Sequence, residues 1–354
     1  MKAVRLYSES HELRVESLPM PGSPGPGEVL IKTLYCGVCG SDYHRLYGKD
    51  ARLSPLAIGH EFSAKVIETG EGVESVRPGD LVAVIPLIVC GKCRNCLSGN
   101  FGQCDDSTFI GGRFPDKGGF VEYNIIGEKN LLKLPEGIDP MHASFLEPLS
   151  VALHGLLIAG VKPGIELAIM GVGTIGMLAL QCAKALGVSE IYAFDIDQGR
   201  LNLAKELGAY ATYNTSEPGF EERFLKDTGG RGARQVVEAC GEEQTILASL
   251  AIGAVEANIA LIGSMTANVQ IPPELFYRVV SYRQMHIHGV WMSYSQDFPG
   301  VEWRLGIQLL KDGKLELNPL IYSLGDIDNA QKLMSHYLEN NRIKGKVVLK
   351  MTSE

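Results

Sequence analysis

The chain carries two different patterns of hydrophobic and polar residues, and the change falls near residue 150. Before it, short β-prone segments at 28–34, 64–69 and 81–84 are separated by clusters of glycine and proline, such as residues 21–27. Short strands between turn residues of this kind are typical of a compact, barrel-like all-β domain. We therefore predict a β-rich domain over residues 1–150.

Beyond residue 150, apolar strand segments alternate with helical segments until about residues 284–289. The predicted strands cover 166–170, 190–195, 235–239 and 258–262, and the predicted helices cover 175–186, 198–207 and 245–251. This alternation predicts a doubly wound parallel sheet with helices on both faces, over residues 151–289. The remainder, 290–354, contains an amphipathic helix and a final strand. We expect it to return to the first domain and complete it.

Composition narrows the class of protein. A chain of 354 residues with 45% hydrophobic and 21% charged residues is predicted to form two globular domains. Its net charge of −8 argues against nucleic acid as the main partner. The longest apolar stretch, 167–187, is interrupted by glycines and polar residues, so it fits a buried strand, turn and helix better than a membrane span. No signal-like run is present at the start, and we expect a cytoplasmic protein.

Four cysteines lie within fifteen residues, among loop-forming residues. Four thiolates satisfy a tetrahedral Zn²⁺ with no open position, which is the structural kind of zinc site. Disulfides suit small secreted scaffolds instead, and the ferredoxin-type iron–sulfur run has a different spacing before its last cysteine. We predict a zinc lobe at about residues 88–106, held by Cys90, Cys93, Cys96 and Cys104.

A glycine-rich segment, residues 171–176, follows an apolar strand and opens an apolar helix. It fits the G-x-G-x-x-G pattern, in which the glycines let backbone amides approach a pyrophosphate at the helix N-terminus. Nineteen residues later, Asp195 is placed to bind the adenosine ribose hydroxyls, which favours NAD over NADP. Arg200 would pack over adenine or, less simply, meet a 2′-phosphate. An ordinary glycine-rich turn is the alternative. The predicted cofactor-binding residues are Gly171, Gly173, Thr174, Ile175, Gly176, Asp195 and Arg200.

A second group of potential metal ligands lies outside the four-cysteine lobe. Cys36 and Cys39 form a C-x-x-C pair, His60 and Glu61 are adjacent, and Glu147 stands near the change of pattern. A redox disulfide is one interpretation of the pair, although no thioredoxin-like context accompanies it. The other is that one cysteine ligates a metal and the other packs in the core. One thiolate, one imidazole and one or two carboxylates would form an open, catalytic zinc site.

Together these motifs resemble the zinc-containing medium-chain dehydrogenase/reductase family along essentially the whole chain. The resemblance rests on residues 59–61 (GHE), residues 36–42 (C-x-x-C-G-S-D), the cysteine lobe and residues 171–176 (GVGTIG). It implies a GroES-like catalytic domain and a Rossmann domain, with NAD and two Zn²⁺ per chain. It also implies catalytic zinc ligation by Cys39, His60 and Glu147, with Glu61 as a neighbour able to enter the ligand shell.

The same resemblance implies roles for further residues. Ser41 and His44 match the family's proton relay, although His44 could instead be a surface histidine. Asp42 could orient His60. Glutamate at position 147, together with residues 109–120 and 289–303, is similar to polyol dehydrogenases that act on a hexitol phosphate. Arg113 and Lys117, or alternatively Arg45 and Arg283, would then meet the phosphate. Family members form homodimers or homotetramers, and we expect the same here.

Three alternatives remain open at this point. The substrate could be an unphosphorylated polyol or diol such as sorbitol, xylitol or butanediol, or threonine, because the same metal and cofactor residues would serve. A zinc-stabilised NAD-binding module without catalysis would not require Cys39, His60 and Glu147. A zinc-free quinone reductase of the same superfamily is disfavoured because all seven predicted zinc ligands are present.

Overall fold

The computed structural model describes residues 1–47, 54–265, 268–339 and 345–351. The chain divides into two compact units. Unit 1 comprises Met1–Glu147, Tyr294–Asp312 and Leu320–Glu354, and unit 2 comprises Pro148–Ser293 and Gly313–Pro319. Residues 313–319, which we had assigned to the return segment, therefore lie in unit 2. Hydrogen bonds explain this, because the amide of Gln181 binds both the backbone N–H (2.6 Å) and the carbonyl (3.2 Å) of Glu316.

The first 145 residues form mainly strands. They are β1 (Lys2–Tyr7), β2 (Glu12–Ser17), β3 (Glu28–Gly37), β4 (Leu56–Ala57), β5 (Glu61–Thr69), β6 (Leu81–Val84), β7 (Leu87–Ile88), β8 (Thr108–Phe109), β9 (Tyr123–Gly127) and β10 (Leu131–Lys133). The helices of this part are short: α1 (Gly40–Tyr47), α2 (Arg94–Leu97) and α3 (Pro140–Ala143).

Helices and strands then alternate. The helices are α4 (Leu146–Ile158), α5 (Thr174–Ala185), α6 (Gln198–Leu207), α7 (Phe220–Asp227), α8 (Glu243–Ile252) and α9 (Pro273–Leu275). The strands are β11 (Glu166–Met170), β12 (Glu190–Asp195), β13 (Ala211–Asn214), β14 (Ala233–Glu238), β15 (Gly253–Leu261) and β16 (His286–Gly289). The last part adds α10 (Val301–Lys311), β17 (Ile321–Asp326), α11 (Ala330–Glu339) and β18 (Lys346–Lys350).

In unit 1 the main sheet has the order β10-β6-β5-β3-β18-β17, and β9 also pairs with β3. The late strand β18 runs antiparallel to β3, with Val348 opposite Gly37. On the other side of β3, Gly37 lies opposite Glu61 of β5. The C-terminal strand is therefore brought next to the segments that carry Cys39 and His60. A core of buried side chains that includes Ile31, Phe62 and Phe120 packs this sheet.

In unit 2 the strands form a parallel sheet in the order β13-β12-β11-β14-β15-β16. This is the order 3-2-1-4-5-6 of a doubly wound dinucleotide-binding sheet. The strand alternation that we expected to end near residues 284–289 continues through that segment, because β16 extends the sheet beside β15. Its residues are largely exposed, so the segment lacks the apolar pattern of the inner strands.

None of the helices in the described ranges has both the length and the apolar character needed to cross a bilayer.

Candidate metal and nucleotide sites

The cysteine lobe brings four sulfur atoms together. The Sγ atoms of Cys90, Cys93, Cys96 and Cys104 lie within 4.8 Å of one another. Cys90 Sγ and Cys96 Sγ are 4.0 Å apart, close to the roughly 3.8 Å that separates sulfurs around a tetrahedral zinc with bonds of about 2.3 Å. The short helix α2 has Cys93 as its N-cap and contains Cys96, so the helix sets the spacing between Cys93 and Cys96.

Backbone N–H groups point at these sulfurs. The N–H of Cys90 donates to Cys104 Sγ (3.3 Å), that of Cys93 to Cys90 Sγ (3.4 Å), and that of Cys96 to Cys93 Sγ (3.4 Å). Backbone hydrogen bonds lower the pKa of Cys93 to about 7, whereas burial raises the pKa of Cys96 to about 12. Because thiolate is the ligating form, donors already aimed at sulfur fit a bound cation.

A second cluster consists of Cys39, His60 and Glu61, whose ligand atoms also lie within 4.8 Å of one another. Cys39 immediately precedes α1, and Glu61 begins β5 directly after His60. The pairing of β3 with β5 therefore places two segments that are distant in sequence side by side. His60 and Glu61 are buried and Cys39 is partly exposed. One sulfur, one nitrogen and one oxygen at this separation suit a zinc ion that keeps an open position.

The carboxylate of Asp42 lies next to the His60 ring. Its Oδ1 lies 3.6 Å from His60 Nδ1 and accepts a hydrogen bond from Arg45 at 3.1 Å. Its Oδ2 accepts from the backbone N–H of Cys39 at 3.1 Å. Burial alone would lower the pKa of His60, but Asp42 and Cys39 hold that pKa well above its ordinary value. The side chain of Asp42 therefore holds the Cys39 backbone by a hydrogen bond and faces the His60 ring, the position that carboxylate partners of metal-ligating histidines take.

Lys346 is a site residue that the sequence analysis missed. Its Nζ donates to both carboxylate oxygens of Glu61, at 2.8 and 2.6 Å, and to the carbonyl of Val38 at 3.2 Å. Both side chains of this ion pair are buried, with 7% and 1% exposure. Burial opposes the charged ammonium, yet Glu61 raises the pKa of Lys346 above its ordinary value. A separation of 285 residues hides this pair from any local sequence pattern.

Glu147 and Cys36 are placed differently from Cys39. Glu147 is outside the group of ligand atoms that lie within 4.8 Å of one another, although it is near enough for His60 and Glu61 to affect its pKa. Burial is the main reason that this pKa is raised to about 7. Cys36 is buried in the apolar core of unit 1, and burial raises the pKa of its thiol well above the ordinary value. All eight cysteines are free thiols, so residues 36 and 39 form no disulfide.

The proposed relay residues lie on α1. Ser41 is partly buried and its Oγ accepts a hydrogen bond from Arg45 at 3.2 Å. His44 is exposed and packs edge-to-face with Tyr43 at 5.8 Å between ring centroids. Positions 41 and 44 are three apart and share one face of the helix.

Of the four candidate phosphate ligands, Arg45 is linked to the surroundings of the Cys39–His60–Glu61 cluster by its ion pair with Asp42 at 3.1 Å. Arg113 is exposed and follows Gly112, at which an added Cβ would meet Arg45 at 3.0 Å. Lys117 Nζ lies 5.7 Å above the Phe114 ring, and the residue lines a cavity of about 480 Å³ that does not include the cluster. Arg283 is in unit 2, where it donates to the carbonyls of Ala251 and Gly253 at 3.3 and 2.7 Å.

The glycine-rich turn in unit 2 has the geometry of a pyrophosphate-binding turn. Gly171 has φ of 88°, and an added Cβ at Gly176 would collide with the carbonyl of Gly171. An added Cβ at Gly173 would instead enter open space. Helix α5 begins here at Thr174, and Ile175 is its second residue. Gly173 is the N-cap, and no side chain caps the helix. Free N–H groups and open space at a helix N-terminus suit an anion.

Asp195 ends β12 beside this turn. Its carboxylate accepts hydrogen bonds from the backbone N–H groups of Val172 (3.0 Å) and Asp197 (2.9 Å), and lies 3.6 Å from an Arg200 Nη atom. A cavity of about 400 Å³ opens at this point. Its lining includes Gly171, Asp195, Arg200, Thr215, Thr245 and Asn268. The volume and the donors fit the adenosine end of a dinucleotide.

Two family models match the chain, and they confirm the predicted fold class. The alcohol dehydrogenase GroES-like domain matches residues 25–136, and the zinc-binding dehydrogenase model matches residues 174–306. The first range lies in unit 1 and carries both metal clusters. The second begins within the glycine-rich turn and continues through the parallel sheet of unit 2 into α10.

Comparison with known proteins gives relatives of nearly full length. Galactitol 1-phosphate 5-dehydrogenase of Escherichia coli is 35% identical over 337 residues, covering 95% of this chain and 96% of the relative. Sorbitol dehydrogenase of Bacillus subtilis is 29% identical over 345 residues, covering 96% and 94%. The crystal structure of galactitol-1-phosphate dehydrogenase from Escherichia coli superposes with a TM-score of 0.93 at 34% identity, covering 99% and 100%. The chain therefore belongs to the polyol dehydrogenase branch of the zinc-containing medium-chain dehydrogenase/reductase family, whose members are oxidoreductases acting on CH–OH donors with a nicotinamide cofactor.

Proposed function

We propose that this protein is a zinc-dependent NAD oxidoreductase that oxidises galactitol 1-phosphate to tagatose 6-phosphate. The observation that carries this proposal is the similarity to galactitol 1-phosphate 5-dehydrogenase over 95% of the chain. The sequence stretches 109–120 and 289–303 point to the same substrate. The cluster of Cys39, His60 and Glu61 supports the reaction class, because it joins three ligand types of an open zinc site.

Two zinc ions per chain are part of the proposal. The four lobe cysteines would hold one, in a closed structural site. Cys39, His60 and Glu147 would hold the other, with Glu61 as a reserve ligand. Both oxygens of Glu61 are engaged by Lys346, which favours Glu147 as the carboxylate ligand. The raised pKa of Glu147, at about 7, also fits a buried carboxyl that a cation would stabilise in its ionised form.

The residues around this site have separate roles in alcohol oxidation. When bound, zinc would supply a Lewis acid that lowers the pKa of an alcohol, and NAD would supply the hydride acceptor. The hydroxyl proton leaves through Ser41 to His44, one helical turn away, and from there to water. Asp42 keeps His60 in one orientation, and Lys346 keeps Glu61 in place. The substrate thus loses a proton and a hydride, and becomes a ketone.

NAD is proposed over NADP because of Asp195. Its buried carboxylate is fixed by two backbone N–H groups at the edge of the cavity, where the adenosine ribose would lie. A fixed negative charge favours ribose hydroxyls and repels a 2′-phosphate. Arg200 Nη1 lies 3.6 Å from this carboxylate, so its guanidinium is already engaged on the side that faces Asp195.

Recognition of the substrate phosphate is assigned to Arg113 and Lys117. Arg113 is exposed and directly follows Gly112, which lies against the Arg45 guanidinium, and Arg45 is itself paired with Asp42. Lys117 is four residues further along the same glycine-rich loop. A charge-assisted bond between a guanidinium and a phosphate is among the stronger polar contacts in proteins.

Comparing galactitol 1-phosphate with galactitol tests the substrate. We expect kcat/KM to be at least about tenfold higher for the phosphorylated substrate, since one charge-assisted hydrogen bond contributes roughly 1.5–3 kcal/mol. Arg113→Gln and Lys117→Gln should each lower kcat/KM for the phosphate ester and leave that for galactitol unchanged. Equal kcat/KM values for the two substrates in the unmodified enzyme would reject the phosphate pocket. A higher value for sorbitol would favour the unphosphorylated-polyol alternative, which the Bacillus subtilis relative represents.

A homodimer is the assembly that we propose, with a tetramer as the larger alternative. Strand β16 is one of the two edge strands of the unit 2 sheet, and its residues are largely exposed. Large exposed side chains accompany it in the sequence, namely Tyr277, Tyr282, Ile287 and Trp291. An uncovered edge strand with apolar neighbours is a template for pairing with a second copy. Cysteines that are not joined in disulfides also fit a reducing compartment, and we place the protein in the cytoplasm.

A further inference from the structure

A second cavity in unit 2 lies at the opposite end of the sheet from the glycine-rich turn. It has a volume of about 490 Å³ and opens at the amino ends of β11, β14 and β15. Its lining includes Lys162, Glu166, Arg231, Arg234, Gln235 and Asn258. Nothing in the alcohol oxidation described above involves these residues. The volume is sufficient for a small metabolite.

Positive charge predominates in this cavity although the chain as a whole has a net charge of −8. Lys162, Arg231 and Arg234 line it together with a single carboxylate, that of Glu166. Among these four side chains, an ion pair joins Arg231 Nη2 to Glu166 Oε1, and its distance of 3.5 Å is long for such a pair. The cavity therefore has about two positive charges in excess, which would attract an anion.

The turn that carries Arg231 is held rigidly. Residues 228–232 read Thr-Gly-Gly-Arg-Gly, and the three glycines all have φ between 62° and 79°. The buried Thr228 hydroxyl donates to the carbonyl of Phe224 (3.0 Å) and accepts from the N–H of Gly232 (3.2 Å). A side chain at Gly232 would collide with the carbonyl of Ile252. The backbone beneath Arg231 is thus fixed before any ligand arrives, which reduces the entropic cost of binding.

Gln235 gives an independent sign of a missing partner. Its side chain is 6% exposed, and its Oε1 is buried with no hydrogen-bond partner among the described residues. The pairing of β14 with β15 is interrupted beside it, because Ala233 lies opposite Gly253 whereas Gln235 lies opposite Asn258. The Oδ1 of Asn258 is engaged by His288 at 2.9 Å. A buried acceptor without a donor is costly unless a ligand or water satisfies it.

We propose that this cavity binds a small organic anion that carries a hydroxyl group, such as a phosphate ester of a polyhydroxy compound. Lys162, Arg231 and Arg234 bind the anionic group, and Gln235 Oε1 accepts the hydrogen bond from the hydroxyl. Lys162 and Arg231 lie on two turns, at residues 160–164 and 228–232, that precede β11 and β14, and Arg234 is the second residue of β14. The site shares β11 with the nucleotide turn but belongs to the other end of that strand.

Calorimetric titration of the zinc-loaded, NAD-saturated full chain with glycerol 3-phosphate tests the proposal. We expect a class of sites that the double variant Arg231→Gln/Arg234→Gln weakens at least tenfold and Gln235→Leu weakens at least fivefold. Arg223→Gln removes an exposed cation of unit 2 outside the cavity and should change nothing. Arg113→Gln affects the phosphate site proposed for unit 1 and should leave this class of sites intact. The two proposals can therefore fail separately.

Thermal unfolding without ligand provides a second readout. Gln235→Leu removes an unsatisfied buried acceptor and should raise Tm by about 1–2 °C. Gln181→Leu is the matched control, because both polar atoms of that buried amide are hydrogen-bonded to Glu316, and it should lower Tm. The proposal is overturned if glycerol 3-phosphate shows no binding at concentrations up to about 10 mM, which is tenfold above a dissociation constant of 1 mM. It is also overturned if binding is equal in the cavity variants and Arg223→Gln, or if Gln235→Leu lowers Tm as Gln181→Leu does.

Discussion

Replacing Cys39 by Ser or His60 by Ala is expected to lower kcat by roughly 10³-fold or more while the affinity for NAD changes less than about threefold. Each substitution removes a ligand from the Cys39–His60–Glu61 cluster, and a Lewis acid at such a site contributes several kcal/mol to the stabilisation of developing charge. The nucleotide turn lies in unit 2 and has its own fold and hydrogen bonds. Steady-state kinetics and titration with NADH fluorescence measure the two quantities separately.

Cys36→Ala is the matched control for this experiment. It changes the other cysteine of the C-x-x-C pair, which packs in the core and lies outside the metal cluster. We expect it to lower stability slightly and to retain turnover. Full activity in Cys39→Ser would refute the ligand assignment. An equal loss in Cys36→Ala would instead support a redox role for the pair.

The Lys346→Met substitution is expected to destabilise the protein by about 3–5 kcal/mol, because it leaves the carboxylate of Glu61 buried without its partner. The ion pair is short, at 2.6 Å, and both side chains are nearly inaccessible to solvent. Lys346 also donates to the carbonyl of Val38, so its removal loosens the segment that leads to Cys39. Thermal unfolding of the zinc-loaded protein measures the effect as a lowered Tm.

The double variant Lys346→Met/Glu61→Gln separates charge from packing. If the uncompensated charge causes the loss, neutralising Glu61 should restore most of the stability that the single variant lost. Lys2→Met is a suitable control, since it removes a salt bridge with Asp328 whose side chains are 46% and 60% exposed. Exposed pairs of this kind contribute about 0–1 kcal/mol. Equal effects of Lys346→Met and Lys2→Met would contradict the role assigned to the buried pair.

Structural features formed by residues that are close together in the sequence could be predicted well. The four lobe cysteines are close in the chain, so a single loop brings them together, and the glycine-rich turn of residues 171–176 follows directly from its position between a strand and a helix. The strand Glu166–Met170 and the helix Gln198–Leu207 also have the bounds expected from their apolar pattern. Local spacing is sufficient in each of these cases.

Features that depend on long-range pairing could not be predicted in the same way. Lys346 reaches Glu61 only because β18 pairs with β3. The local sequence around either residue does not predict this pairing. Strand β16 was missed because an exposed edge strand needs no apolar alternation. The hydrogen bonds of Gln181 with Glu316, which assign residues 313–319 to unit 2, likewise join positions 135 residues apart.

Zinc content followed together with turnover tests the central claim most directly. Chelation should remove zinc from the protein in two classes, and activity should disappear with the class held by the Cys39 cluster and return when Zn²⁺ is added back. Cys39→Ser should retain the lobe zinc alone, at one ion per chain. Full-speed oxidation by a preparation shown to contain less than about one tenth of a zinc ion per chain would contradict the account, since zinc-dependent alcohol activation requires the ion in every working molecule.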